Sequence, residues 1–179
     1  MPTILTHAVV GLALTRLARP ERRPKLIGAV SAGLAMVPDA DVVAFAFGVP
    51  HGSMWAHRGI THSLVAAAAV AAAVAAVAYR RARVRSRLLV PLFFLAMASH
   101  GVLDALTNGG PGVAFLAPFD TTRYFFPWRP VEVSPVGRSF FGARGLRVLE
   151  SELRWIWLPT IVVTCAASML QRLHSRRDR

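Results

Sequence analysis

The stretch from Ser63 to Tyr79 reads SLVAAAAVAAAVAAVAY, a run without a charge and with ten alanines. Its length approaches the ~20 apolar residues that a helix needs to cross a hydrocarbon core, and its small side chains let helices pack closely in a bilayer. Three further segments are comparably apolar: Leu26 to Gly48, Leu88 to Leu106 and Trp155 to Leu170. The sequence therefore predicts an all-α fold, a polytopic membrane helix bundle with about four transmembrane helices.

The composition of the whole chain agrees with a membrane protein. Hydrophobic residues make up 54% of the 179 positions and charged residues 17%, against roughly 25% charged in ordinary soluble domains, which argues against a soluble globular enzyme. Residues Ile4 to Leu17 are apolar but too short to span, and we expect a short N-terminal helix there. The length fits a single membrane-embedded domain over residues 1–179.

Basic residues predict the orientation of the bundle. Lys and Arg number 21 against 9 acids, a formal net charge of +12. Most of them fall in three clusters: Arg16, Arg19, Arg22, Arg23 and Lys25; Arg80, Arg81, Arg83, Arg85 and Arg87; and Arg172, Arg176, Arg177 and Arg179. Four spans place all three clusters on one side, which we assign to the cytoplasm because short cytoplasmic loops accumulate Arg and Lys. Without interleaved aromatic residues the clusters indicate a collar facing lipid headgroups and no nucleic-acid partner.

Acids and histidines are scarce in the apolar segments and stand out there. Asp39, Asp41 and Asp104 lie inside them, where a charge costs roughly 2.5 to 3.5 kcal/mol even on the lenient insertion scale and is a functional candidate by default. Four histidines occur near these acids or in the adjoining motifs: His7, His57, His62 and His100. His100 and Asp104 are four residues apart, so on a helix they project from one face.

Helix length predicts that these groups lie at a similar depth. At ~1.5 Å per residue, the acids and histidines next to or within the predicted spans lie about 20 to 27 Å above the basic clusters, near the noncytoplasmic surface. Pro38 interrupts the second span, where a proline bends or unwinds a helix. Irregular backbone at that depth has to line protein or water. We therefore expect a polar cavity at Asp39 and Asp41.

Histidine and aspartate without cysteine suit a divalent metal ion. We expect one or two ions, Zn²⁺ first and Mn²⁺ as the alternative. The expected ligands are His7, Asp39, Asp41, His57, His62, His100 and Asp104. Because a metal lowers the pKa of bound water, we expect hydrolysis of a phosphoester in a lipid or lipid-linked substrate. Asp41 would be a ligand or the general base. Arg58 would neutralise charge on the phosphate, or it would be a surface cation that pairs with a nearby acid.

The loop from Thr107 to Arg154 is the long polar stretch of the chain, and it carries eight aromatic residues. Aromatic residues favour the lipid–water boundary. We expect this loop to rest on the membrane over the cavity as an interfacial lid or a simple anchor. Arg123 and Arg129 would face headgroups, and Glu132, Glu150 and Glu152 would be solvated.

Four motifs resemble those of the YdjM-like family of bacterial membrane-bound metal-dependent hydrolases. They are Thr6-His7, Pro38-Asp39-Ala40-Asp41, His57-Arg58-Gly59-Ile60-Thr61-His62-Ser63, and Ser99-His100 through Asp104. The resemblance covers about residues 1–135, and the third motif is its most specific part. The resemblance implies a bacterial inner-membrane protein with hydrolase activity. Together with the basic clusters, it leads us to expect the site on the noncytoplasmic side of that membrane.

The order of these residues is also remotely similar to the helical zinc-dependent phospholipase C and P1 nuclease group. That group adds a later His-x-x-x-Glu pair, which does not follow Asp104 here. Two hypotheses from other functional classes remain open at this point. The same groups would pass protons or metal ions in a transporter, or a metal would only staple the helices of a structural membrane protein.

Overall fold

The computed structural model describes residues 1–82, 84, 87–135 and 137–177, and in them it contains no β-strand. The part of the chain that the structure describes has six α-helices: α1 (Ile4–Ala18), α2 (Pro24–Met36), α3 (Leu64–Ala82), α4 (Leu89–Ala105), α5 (Ala143–Glu152) and α6 (Leu158–Arg177). The prediction of an all-α membrane bundle is confirmed. Of the predicted basic clusters, Arg83, Arg85 and Arg179 lie outside the described residues.

Within the described residues, three stretches are long and apolar enough to cross a membrane: Pro24–Phe47, Leu64–Arg81 and Ala143–His174. Helices α1 and α4 are apolar but shorter. Apolar side chains such as Val162 and Met169 on α6 are more than half exposed. Such a surface is expected of a helix whose neighbours are lipid tails.

The second span changes its winding where the sequence predicts. Helix α2 ends at Met36, and a 3₁₀ helix continues over Val37–Phe47 with Pro38 at its start. Proline lacks the amide hydrogen that the α-helical pattern needs. The unwinding predicted at Pro38 is therefore confirmed.

The last span departs from the prediction. Helix α5 begins at Ala143 and continues through a π-helical turn, Leu153–Trp157, into α6. The loop predicted to run to Arg154 therefore ends about three helical turns earlier. In α5, apolar residues such as Leu146 and Leu149 are interspersed with Arg144 and Arg147. These charges lie outside the apolar run in the sequence, so the span was predicted to begin only at Trp155.

Close backbone contacts bring the helices together. A Cβ atom at Gly11 of α1 would lie 2.7 Å from the carbonyl oxygen of Ser31 in α2, so these helices touch through backbone. Ala67, Ala71 and Ala75 of α3 belong to the same buried cluster as Phe93 of α4. Small residues thus permit close packing in the membrane, as expected from the alanine-rich run.

Candidate metal centre

The side chains predicted as metal ligands meet at one end of the bundle. They come from α1, the 3₁₀ helix after α2, the turn before α3, and α4: His7, Asp39, Asp41, His57, His62, His100 and Asp104. None of their side chains is more than 12% exposed. Because α1 and α3 begin at this end and α2 and α4 end near it, the described basic residues of the clusters lie at the opposite end.

The first of two groups contains Asp39, His57, His62 and Asp104. Each offers one ligand atom, and these atoms all lie within 4.8 Å of one another. Nε2 of His62 is 3.5 Å from Oδ2 of Asp104. Nitrogen and carboxylate oxygen ligands at this separation can bind one divalent ion.

The second group contains His7, Asp39 and His100, whose ligand atoms also lie within 4.8 Å of one another. Nε2 of His100 is 3.2 Å from Oδ1 of Asp39. The imidazole rings of His7 and His100 stack with their centroids 3.7 Å apart. Since Asp39 belongs to both groups, the two candidate ion positions share one carboxylate.

A backbone carbonyl orients the His100 ring. Nδ1 of His100 donates to the carbonyl oxygen of Ala35 at 2.7 Å, which leaves Nε2 as the candidate ligand atom. In a 3₁₀ helix each amide pairs three residues back, and Pro38, three residues after Ala35, has no amide hydrogen. The unwinding of α2 therefore supplies the acceptor that orients His100.

Asp41 orients two further imidazoles. Its Oδ1 accepts from Nδ1 of His57 at 2.7 Å, and its Oδ2 lies 3.3 Å from Nδ1 of His62 and accepts from the Thr61 hydroxyl. A carboxylate behind a histidine fixes the ring tautomer and raises its basicity as a ligand. Asp41 belongs to neither group of candidate ligands, so this structure places it behind them.

Arg58 is buried and turned inward. Its Nε lies 2.8 Å from Oδ2 of Asp104, and its guanidinium also donates to the Gly109 carbonyl and the Thr107 hydroxyl, both at 3.0 Å. The Arg58 side chain is 1% exposed, and its guanidinium binds protein groups instead of facing a substrate. Of the two roles expected for Arg58, the geometry matches the pairing with an acid, but the expected surface position is wrong because the side chain is buried. The backbone of Arg58 is left-handed, with φ 65°, a conformation that is costly for a bulky residue.

Several buried polar atoms of the centre have no hydrogen-bond partner among the described residues. They include both nitrogens of His7, both carboxylate oxygens of Asp39, and Nε2 of His62 and of His100. Leaving such a group unsatisfied costs about 1–3 kcal/mol, and more when it is charged. Cations at the two candidate positions would bind the Asp39 oxygens, Nε2 of His62 and of His100, and one nitrogen of His7, and histidine and carboxylate donors are those that Zn²⁺ and Mn²⁺ accept. The residues present therefore fit a metal ion.

The edge of the centre lies at His57, whose side chain is the most exposed of the ligands at 12%. The ring of Phe45 meets it edge-on, with centroids 6.2 Å apart. Arg123 donates to the carbonyl oxygens of His57 and Ser53 at 3.1 and 2.9 Å. The expectation that Arg123 faces headgroups is wrong, because these carbonyls draw it inward.

Burial and carboxylates act in opposite directions on His62, which precedes the span that begins at Leu64. Burial lowers the pKa of His62, but the nearby carboxylates of Asp104 and Asp41, 3.5 and 3.3 Å from its ring nitrogens, outweigh that effect, and the pKa is raised above its ordinary value. The imidazole therefore holds a proton more tightly than an exposed histidine.

Sequence reasoning missed a buried acid at this end of the bundle. Glu132 and Glu150 are exposed as expected, but Glu152 is fully buried, so its assignment as a solvated acid is wrong. It accepts hydrogen bonds from the Thr3 and Thr6 hydroxyls, each at 2.6 Å. The contact joins opposite ends of the sequence, and the local pattern around Glu152 carries no signal of it.

The comparisons with known proteins bear on this geometry. The chain matches the YdjM inner membrane protein family over residues 1–175. It is 41% identical to the inner membrane protein YbcI of Escherichia coli (strain K12) over 171 residues, which cover 91% of this chain and 95% of YbcI. No solved structure matches the chain significantly, and the remote similarity to the phospholipase C and P1 nuclease group finds no support in these comparisons. The chain belongs to the YdjM family of inner membrane proteins.

Proposed function

We propose that this protein is a membrane-bound metal-dependent hydrolase. The observation that supports the proposal most is the position of Asp39. Its carboxylate is shared by two groups of ligand atoms and lacks any other hydrogen-bond partner among the described residues. A buried carboxylate surrounded by imidazole nitrogens is costly by itself and is stabilised by a bound cation.

We propose four membrane-crossing helices, α2 with its 3₁₀ extension, α3, α4 and the α5–α6 helix. The basic end would lie in the cytoplasm, following the distribution of Arg and Lys. The metal centre would then lie near the noncytoplasmic surface. Two exposed aromatic side chains between α4 and α5 agree with an interfacial position, because Phe119 and Phe141 are each 87% exposed and such side chains favour the boundary between lipid and water.

His57, His62, Asp39 and Asp104 would hold one ion, and His7, His100 and Asp39 a second. Bound there, a divalent ion would polarise a substrate oxygen and lower the pKa of water. Asp41 keeps His57 and His62 in the tautomer that leaves Nε2 free. Arg58 holds the Asp104 carboxylate in place, and the apolar helices around the centre exclude bulk water.

The substrate class follows from the paired positions and the membrane. Two ions close together are typical of enzymes that displace a phosphoryl group, since both the attacking and the leaving oxygen are stabilised. Substrate would approach past His57, the exposed edge of the centre. We therefore propose a phosphoester of a lipid or lipid-linked molecule as the substrate.

The apolar cluster between the centre and the basic end distinguishes this proposal from transport. Leu34 of α2, Ala71 of α3 and Phe93 of α4 are buried together there. A transporter needs a polar path to both surfaces, and this half of the bundle is packed with apolar side chains. Apolar packing towards the basic end suits a site that substrate reaches from the opposite end of the bundle.

Purified full-length protein in detergent tests the proposal. Bound Zn²⁺ and Mn²⁺ would be measured by elemental analysis, and hydrolysis of phosphatidylglycerol, phosphatidylethanolamine and bis(p-nitrophenyl) phosphate would be assayed. We expect turnover in the wild type, loss of turnover in His100→Ala, and wild-type turnover in His174→Ala, whose histidine is exposed near the far end of α6. Stoichiometric metal without turnover would favour a structural ion, and metal flux into proteoliposomes would favour a transporter.

A further inference from the structure

At the end of the bundle opposite the metal centre, a groove of about 690 Å³ opens between α1 and α2. Its walls are mostly apolar and include Leu12 and Thr15 of α1 and Gly28 and Ala29 of α2. Its volume lies within the roughly 300–1,000 Å³ of small-molecule sites. The groove is therefore large enough to take part of an apolar molecule.

Local structure explains why α1 and α2 leave this space. The helices touch through backbone at Gly11 and Ser31, further from the basic end. Towards that end Gly28 has no side chain, and a Cβ atom there would meet Leu12 at 3.5 Å without a clash. Ala29 is small and exposed. Small residues on α2 thus keep the groove open where α1 approaches its end.

Three cations stand at the mouth of the groove. Arg16 and Arg19 come from the end of α1 and its cap, and Lys25 from the first turn of α2. All three side chains are exposed, and within the described part of the chain none forms an ion pair with a carboxylate. Their charge is left for an anion from outside the protein.

We infer that this groove, between the α1 and α2 helices, binds one anionic phospholipid. An acyl chain would lie against the apolar walls, and the phosphate would lie between the three cations. Basic pockets beside membrane helices on the cytoplasmic side are suited to anionic headgroups, with each Lys or Arg adding to the attraction. The inference uses no residue of the metal centre and holds whether or not the proposed hydrolase activity does.

The test uses full-length protein in detergent and dioleoyl lipids that differ only in the headgroup. Binding of phosphatidylglycerol and of phosphatidylcholine would be measured by native mass spectrometry. We expect one phosphatidylglycerol per chain, bound at least about tenfold more tightly than phosphatidylcholine. Equal binding of the two lipids would overturn the inference, as would equal competition by inorganic phosphate alone.

Variants separate the groove from general surface charge. In Arg16→Gln/Lys25→Gln we expect phosphatidylglycerol to bind at least about tenfold more weakly. Arg80→Gln/Arg81→Gln removes the same charge at the exposed end of α3 and should bind as the wild type does. Equal weakening in both double variants would show unspecific attraction and overturn the inference.

A further variant tests the apolar part of the groove without changing any charge. Ala29→Trp places a large side chain at an exposed helical position on the groove wall. It should reduce binding of phosphatidylglycerol while the thermal unfolding temperature without added lipid stays that of the wild type. Undiminished lipid binding in correctly folded Ala29→Trp would show that the groove is not the binding site.

Discussion

Nε2 of His100 lies 3.2 Å from Oδ1 of Asp39, and neither atom has a hydrogen bond to any described residue. The two residues come from α4 and from the 3₁₀ helix that follows α2. Because Asp39 also lies among the ligand atoms of His62 and Asp104, its carboxylate would bridge two ions. The ion count in single variants should therefore depend on which group loses a ligand.

We predict that His7→Ala retains one ion and that His62→Ala also retains one, whereas Asp39→Asn retains neither tightly. The reason is that each histidine serves one group, while Asp39 serves both. Elemental analysis of purified variants, with His174→Ala as the control, measures the ratio of metal to chain. Complete loss of metal in each histidine variant would point to a single ion instead.

Asp41→Asn should weaken metal binding without abolishing it. The carboxylate of Asp41 fixes the tautomer of His57, and loss of such a partner typically costs about 10–100-fold in metal affinity or activity. Competition with a coloured chelator measures the affinity. Asp120→Asn, which removes a carboxylate bonded to Thr122 and Tyr124, should leave it unchanged. A total loss of binding in Asp41→Asn would instead make Asp41 a ligand.

Arg58→Met should destabilise the protein even when metal has been removed. It leaves the Asp104 carboxylate, 0% exposed, without its cation, and breaking a buried pair from one side costs about 3–5 kcal/mol. Thermal unfolding in detergent, with and without chelator, measures the effect, and Arg58→Lys should restore part of the stability. Wild-type stability of the metal-free variant, combined with a raised KM, would return Arg58 to the role of a phosphate ligand.

The structural features that were predicted correctly depend on local patterns in the sequence. Apolar runs place helices α2, α3 and α4, and Pro38 places the change of winding. The motif residues were also expected to meet, because buried acids and histidines in a bundle have few polar partners other than one another. Helix spacing and the scarcity of charge thus carried most of the fold and the candidate site.

The features that were missed depend on contacts distant in sequence. Arg123 is drawn inward by the carbonyls of Ser53 and His57. Every residue has a backbone carbonyl, so residue types do not indicate which carbonyl will accept a hydrogen bond. Arg58 likewise donates to the backbone carbonyl of Gly109, 51 residues later in the chain. Such contacts become visible only when the helices are packed.

Metal affinity should fall steeply as the pH is lowered from about 8 to 6. Ligand imidazoles have to be deprotonated before they bind a metal, and the pKa of His62 is raised because the nearby carboxylates of Asp104 and Asp41 outweigh its burial. Affinity should drop about tenfold per pH unit for each proton displaced. Chelator competition across the range measures this slope. Asp41→Asn should move the decline to lower pH, and an unchanged midpoint would contradict the assigned coupling.

Glu152→Gln should destabilise the bundle, whereas Glu150→Gln should not. Glu152 is buried and accepts from Thr3 and Thr6, and Trp157 also donates to the Thr6 hydroxyl at 2.6 Å. Loss of the charged acceptor in Glu152→Gln should lower the free energy of unfolding by about 1–3 kcal/mol. The change at the exposed Glu150 should lower it by less than about 0.5 kcal/mol.

Thermal unfolding in detergent measures both Glu152→Gln and its control, Glu150→Gln. Combining Glu152→Gln with Thr6→Val should cost less than the sum of the two single changes, because they remove the same hydrogen bond. His7 follows Thr6 directly in α1, so a loosened network should also weaken the ion at His7 and His100. Strict additivity, together with unchanged metal content, would mean that Glu152 neither couples to Thr6 nor supports the metal centre.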